Sequence, residues 1–126
     1  MSASHNIVFL VVDDSKISRK WLIEMIPKKI LEHATIIEGI NGQEAIDLYK
    51  AHHPDIIFLD ITMPVVDGFE ALAVIKSLNP EAIVVMISAD RQKSTKEKVL
   101  ALGASAIISK PIDAEEFRTT LLNLVF

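Results

Sequence analysis

Apolar residues gather along the chain in five short runs, at residues 7–12, 35–37, 55–59, 82–87 and 106–108. Four of the runs are nearly uninterrupted β-branched or aliphatic residues, the pattern of strands buried on both faces of a parallel sheet. Between the runs the apolar spacing changes to three and four. Ile17, Trp21, Leu22, Met25 and Ile26 recur in this way, with Lys16, Arg19, Lys20 and Glu24 between them, as on an amphipathic helix. Ala45, Ile46 and Tyr49 repeat the pattern, as do Phe69, Leu72, Ala73 and Ile75, then Val99, Leu100 and Leu102, then Phe117, Leu121, Leu122 and Leu124. On this reading Trp21 is expected in the core, with a partner anchor as the lesser alternative.

The punctuation agrees. Asn41-Gly42 and Asp67-Gly68 break the chain before the second and third helices, Asn79-Pro80 stops the third, and Gly103 is placed to end the fourth. Strand–helix alternation of this kind calls for right-handed crossovers and an open α/β sheet covered on both sides. No linker, repeat or low-complexity stretch interrupts it, so one domain is expected over residues 1–126, with its core at about 6–125 and a frayed polar terminus before it.

Composition narrows the class. The 126 residues are 50% hydrophobic, enough for a core without staples, and contain no cysteine, which removes disulfides and thiolate chemistry together. A formal net charge of −4 lacks the bulk electrostatics that drive nucleic-acid binding. The first apolar run is too short for a signal-peptide core or a membrane span, and Asp13 ends it. A cytoplasmic protein, with neither nucleic acid nor membrane as partner, is the expectation.

In an open α/β sheet, ligands bind beyond the carboxyl ends of the strands. Asp13 and Asp14 close the first strand here, Asp60 the third, Ser88 the fourth and Lys110 the fifth. Any one of them reads as an ordinary helix cap, but five on one edge do not. Three carboxylates in one cleft repel each other and need a cation. Oxygen donors without a Cys or His cluster select Mg²⁺. With Mg²⁺, Asp60 can act as a nucleophile toward a phosphoryl group. The Lys110 ammonium and the Ser88 hydroxyl can then hold the transferring oxygens. A nucleotide cradle is disfavoured, because neither GxxxxGK[ST] nor GxGxxG occurs.

Four segments carry a family likeness: Val11-Val12-Asp13-Asp14-Ser15, then Leu59-Asp60-Ile61-Thr62-Met63-Pro64-Val65-Val66-Asp67-Gly68, which fits D-x-x-M-P-x-x-D-G, then Ile87-Ser88-Ala89 and Ser109-Lys110-Pro111. In this order the chain resembles the response-regulator receiver domains of two-component systems over nearly its whole length, and among them the single-domain CheY type. The resemblance implies a flavodoxin-like (βα)5 fold, with a five-stranded parallel sheet in the order 2-1-3-4-5 and five helices on its two faces, an order for which CheY is itself a standard example. It makes Asp60 the phosphoacceptor, Ser88 the switch hydroxyl and Lys110 the phosphate-binding lysine. Asp13, Asp14, Asp60 and the backbone carbonyl of Thr62 become the Mg²⁺ ligands, and the Lys110–Pro111 peptide is expected to be cis. The implied partners are a sensor histidine kinase or phosphotransfer protein, and a downstream output protein at the face of the fourth helix, fifth strand and fifth helix. Self-catalysed phosphoryl transfer and hydrolysis are the only chemistry implied. Ile107 departs from the pattern, since many receivers carry Tyr or Phe three residues before the lysine.

Other residues have weaker claims. His5, His33, His52 and His53 lie away from the strand-end edge and read as solvated surface. Arg91, Lys93, Lys96 and Lys98 read as a solvated helix face or a docking patch, and Lys28-Lys29 claims no more. An aspartyl phosphatase of the haloacid-dehalogenase kind needs a second acid two residues after the nucleophile, where this chain has Thr62. A receiver excised from a larger regulator or hybrid kinase, and a receiver that binds partners without phosphate, complete the alternatives. Because the chain ends soon after the fifth helix, at Phe126, a stand-alone switch acting through a partner is favoured over them.

Overall fold

The computed structural model describes residues 6–125, so His5, most of the polar N-terminal segment and Phe126 lie outside the described residues. Its elements run β1 (Ile7–Val12), α1 (Lys16–Met25), α2 (Lys28–Leu31), β2 (Ala34–Gly39), α3 (Gly42–His52), β3 (Ile56–Asp60), α4 (Gly68–Leu78), β4 (Val84–Ser88), α5 (Lys93–Ala101), β5 (Ala106–Ser109) and α6 (Ala114–Val125). The five strands pair in parallel in the order β2-β1-β3-β4-β5, as the resemblance implies. Six helices stand where five were expected. The extra one, α2, is a single turn opened by Pro27, whose carbonyl accepts from Ile30 N and Leu31 N. Four residues are too few to carry a helical period, so the sequence pattern passes over it. The fourth and fifth predicted helices are therefore α5 and α6.

The alternation of side chains across the pleat divides the core into two layers. Leu10, Val12, Ile57, Leu59 and Met86 face α3, α4 and α5, where they meet Ala45, Tyr49, Leu72, Ile75 and Val99. Phe9, Val11, Phe58, Ile87 and Ile108 face the other side, against Leu22 and Ile26 at the α1 end and Phe117 and Leu121 of α6. There Phe58 bridges Phe9 and Phe117, with ring centroids 6.3 Å and 5.1 Å apart. All five residues of β3 and of β4 are buried, which is why those runs show no alternation.

Helix α1 corrects the expectation for Trp21. Leu22 and Ile26 turn inward, and the neighbouring stripe of Ile17 and Trp21 is left 55% and 57% exposed. The apolar residues of α1 span more of its circumference than the sheet covers, and the stripe of Ile17 and Trp21 is the part left outside. Ala73, Leu100 and Leu122 are likewise exposed. Gly103 ends the α5 segment at φ 102°, in the left-handed region that favours glycine.

Two glycines set the loop that follows β3. A Cβ on Gly68 would lie 2.6 Å from Ile61 Cα, and one on Gly42 would lie 2.7 Å from the Val66 carbonyl carbon. The bare backbone lets Gly68 N donate to Ile61 O at 2.8 Å and Gly42 N to Val66 O at 3.0 Å. The loop after β3 is thereby fastened to the end of its own strand and to the start of α3. Within it Val65 takes φ 69° and is 81% exposed, an unusual conformation for a β-branched residue.

Candidate functional site

The parallel order brings the carboxyl ends of β1, β3, β4 and β5 to one edge, and with them the polar residues that close those strands. Asp13 and Asp60 are buried, at 7% and 6% exposure, while Asp14 is exposed. Carboxylate oxygens of Asp13, Asp14 and Asp60 lie within 4.8 Å of one another. Lys110 enters from the far side of the sheet order, its Nζ 3.1 Å from Asp13 Oδ2 and 3.4 Å from Asp60 Oδ2. The Lys110–Pro111 peptide is cis, as expected.

Local hydrogen bonds fix each group. Asp13 accepts from Ser15 N at 2.8 Å through Oδ1, which leaves Oδ2 for Lys110. Arg19, which the sequence reading left among the polar residues of the first helix, donates to the Asp13 carbonyl at 2.7 Å and to Glu38 at 2.8 Å. Lys110 N donates to Ser88 O at 2.8 Å, so the two strand ends are joined. Ser88 is buried, but its hydroxyl is engaged away from the acids, with the main chain of Asp90. Thr62 lies exposed in the loop after Asp60. Asp90 and Arg91 were missed as parts of this edge. Arg91 donates to the Lys110 carbonyl at 3.2 Å, and only the folded loop reveals that contact.

The electrostatics are those of an under-compensated acid cluster. Burial pushes the Asp60 carboxyl above its ordinary range and the Asp13 charge adds to this, while Lys110 and the main chain of Thr62 pull the other way without prevailing. Burial works to lower the Lys110 ammonium, but its hydrogen bond to Asp13 and the charges of Asp60 and Asp13 outweigh it and hold it above the usual lysine value. All donors in the cluster are oxygen and three are carboxylates, so the pocket suits a small hard dication such as Mg²⁺ better than a soft one. Beside it opens a cavity of about 210 Å³, whose lining includes Val12, Trp21, Leu22, Met25, Lys110 and Pro111.

His33, His52 and His53 are exposed and away from this edge. His53 caps α3 in the left-handed region and lies edge-on to Tyr49, with ring centroids 5.7 Å apart. No helix among the described residues is long and apolar enough to cross a membrane.

Comparison with known proteins gives a consistent answer. Residues 9–122 match the response regulator receiver domain family. The chain is 37% identical over 106 residues to the chemotaxis protein CheY of Bacillus subtilis (strain 168), covering 84% of this chain and 87% of that one. It is 41% identical over 107 residues to the protein CcdB of the same organism, covering 82% and 85%. Among solved structures, a chain in the crystal structure of the CheX-CheY-BeF3-Mg+2 complex from Borrelia burgdorferi superposes with a TM-score of 0.87 at 33% identity, over 97% of this chain and 91% of that one. A parallel sheet with a buried acid cluster bridged by a lysine at its carboxyl edge, and these likenesses over most of the chain, place the protein in the response-regulator receiver domain family, as a phosphorylation-dependent signalling switch.

Proposed function

We propose that Asp60 is the group that takes the phosphoryl, from a phosphohistidine on a sensor kinase or phosphotransfer protein. A carboxylate oxygen of Asp60 attacks phosphorus, the phosphorus–nitrogen bond breaks, and the imidazole leaves with the bonding pair and takes up a proton. The product is an aspartyl phosphate, which water later hydrolyses. The observation that carries this reading is the burial of Asp60 beside Asp13, with one ammonium shared between them.

Phosphoryl transfer asks the protein for positioning and charge neutralisation more than for covalent chemistry. Lys110 already points its ammonium at Asp60 and can follow the charge onto a phosphoryl oxygen. The Ser88 hydroxyl, at the end of the neighbouring strand, can donate to a second oxygen. Asp13, Asp14, Asp60 and the carbonyl of Thr62 would hold Mg²⁺. When bound, the ion supplies positive charge against the acids and the transferring group.

For output we assign the face of α5, β5 and α6, with Lys93 and Lys96 exposed on α5, whereas the Lys98 ammonium lies over the Phe69 ring of α4, 3.9 Å from its centroid. Ile107 packs half-buried against the layer that contains Val99 and Met86, so no aromatic ring is available to turn at this position. The change is carried by the loop after Ser88 and by α5 itself.

Intact-mass measurement after incubation with acetyl phosphate and Mg²⁺ tests the central assignment. The wild-type chain gains one phosphoryl group, whereas Asp60→Asn and chelator-treated protein gain none. Equal labelling of Asp60→Asn would place the acceptor elsewhere.

A further inference from the structure

The longer helices are closed at their starts in two ways. Ser15, Asn41 and Asp67 occupy the N-cap positions of α1, α3 and α4, and each accepts from an amide three residues on, those of Ser18, Glu44 and Glu70. Asp113 likewise accepts from the amides of Glu115 and Glu116 at the start of α6. Helix α5 differs. Its N-cap residue, Gln92, makes no side-chain capping bond, and its first turn carries no acid. Its start is held from upstream by Asp90, which accepts from Gln92 N at 2.8 Å through Oδ1 and from Thr95 Oγ1 at 2.6 Å through Oδ2.

Asp90 is also the residue to which the Ser88 hydroxyl is tied. Ser88 Oγ donates to Asp90 O at 3.1 Å and accepts from Asp90 N at 2.9 Å. One residue therefore grips the hydroxyl with its main chain and the helix with its side chain. We propose that Asp90, through Thr95, is the positioning residue that couples the Ser88 hydroxyl to the first turn of α5. The inference rests on the reading of Ser88 as the hydroxyl that meets the phosphoryl group.

The coupling follows from hydrogen-bond arithmetic. A hydroxyl has one proton and two acceptor sites. Donation to a phosphoryl oxygen takes the proton away from the Asp90 carbonyl but leaves an acceptor site for the Asp90 amide. That amide keeps its partner only by moving with it, and the Asp90 carboxylate carries Gln92 and Thr95 along. Helix α5 is free to respond, because Val99 is its one buried residue. The carboxylate is committed to these bonds although Asp90 is exposed. The Thr95 hydroxyl first, and then the Gln92 amide, hold its carboxyl below the ordinary range.

The test compares amide chemical shifts with and without beryllofluoride and Mg²⁺ in wild type, Thr95→Val, Thr95→Ser and Asp90→Ala. Labelling by acetyl phosphate is followed in each, and thermal unfolding checks the fold. All four are expected to label and to show a shift change at Ala89. Wild type and Thr95→Ser, which keeps the hydroxyl, also change across Lys93–Ala101. Thr95→Val and Asp90→Ala lose most of the change in α5. If α5 responds in Thr95→Val as it does in wild type, or if Thr95→Ser behaves like Thr95→Val, the coupling does not run through this pair. Should Asp90→Ala fail to fold, the two Thr95 variants decide. A wild-type spectrum unmoved at Ala89 sinks the Ser88 reading, and the coupling with it.

Discussion

Lys110 and Asp60, far apart in the sequence, meet at the sheet edge with Nζ 3.4 Å from Oδ2, yet the ammonium lies closer to Asp13, at 3.1 Å. The cation is divided between two buried acids, and its partial compensation leaves the Asp60 carboxyl raised. Holding Lys110 protonated is the converse of the same arrangement. Its raised value contributes stability that is fully present below the ordinary 10.5 and is lost as pH rises through the folded value.

Asp60 gives the same sign of pH dependence, in the acid range. The folded chain binds its proton more tightly than the unfolded chain, so stability falls as pH rises from the ordinary value of 3.8 through the raised one. In metal-free buffer near neutral pH, Asp60→Asn is expected to be more stable than wild type by roughly 1–2 kcal/mol, the usual scale of a single substitution. The advantage shrinks as pH is lowered through the raised folded value and is gone well below 3.8, where the wild-type carboxyl is protonated in both states. Urea unfolding across that range decides it, and a less stable Asn variant near neutral pH contradicts the charge account.

Asp14 is the exposed member of the cluster. Asp14→Ala removes one of the oxygens proposed to hold Mg²⁺ and relieves repulsion at the same time. Mg²⁺ affinity should fall by roughly 10–100-fold, a loss that even outer-shell partners of a metal produce, while metal-free stability holds or rises. Calorimetric titration with Mg²⁺ is the measurement. Unchanged affinity moves the ion to other ligands.

Val65 is strained without being packed, at φ 69° and 81% exposed. Asn tolerates the left-handed region that a β-branched side chain resists, so Val65→Asn should stabilise the chain by about 1 kcal/mol. A urea midpoint equal to or below wild type would show that the strain is relieved in some other way.

Trp21 and Leu22 are neighbours with opposite surroundings, one 57% exposed and the other 5%. Leu22→Ala is expected to cost roughly 2–5 kcal/mol, as core truncations do. Trp21→Ala should cost much less, because more than half of its surface stays in contact with solvent in the folded chain. Equal losses in denaturant unfolding would return Trp21 to the core.

The misreading of Trp21 shows where the sequence stops being informative. Strands β3 and β4 were legible because every residue in them is buried, so composition alone marks them. The acids at the strand ends were legible because parallel topology leaves them one edge to share. Helix α1 was harder. Its apolar residues cover more of the circumference than the sheet can bury, and no pattern says which stripe is left outside. Asp90 escaped notice because its bonds, to Ser88, Gln92 and Thr95, are all local. Such short-range polar contacts look like any other loop residues until the backbone is drawn.

The fastening of the loop after β3 by Gly68 and Gly42 separates what has to stay still from what is free to vary. Main-chain bonds at both glycines pin the surroundings of the Asp60 carboxylate, with no room for a methyl group at either position. Residues 89–91 have no such main-chain anchor among the described residues, and the side chains of Ser88, Asp90 and Arg91 hold them instead. Side chains can be exchanged one at a time, whereas a backbone clamp cannot. Grafting a different short stretch between Ser88 and Thr95 should therefore retune how strongly the molecule signals, or to whom, and leave its chemistry in place.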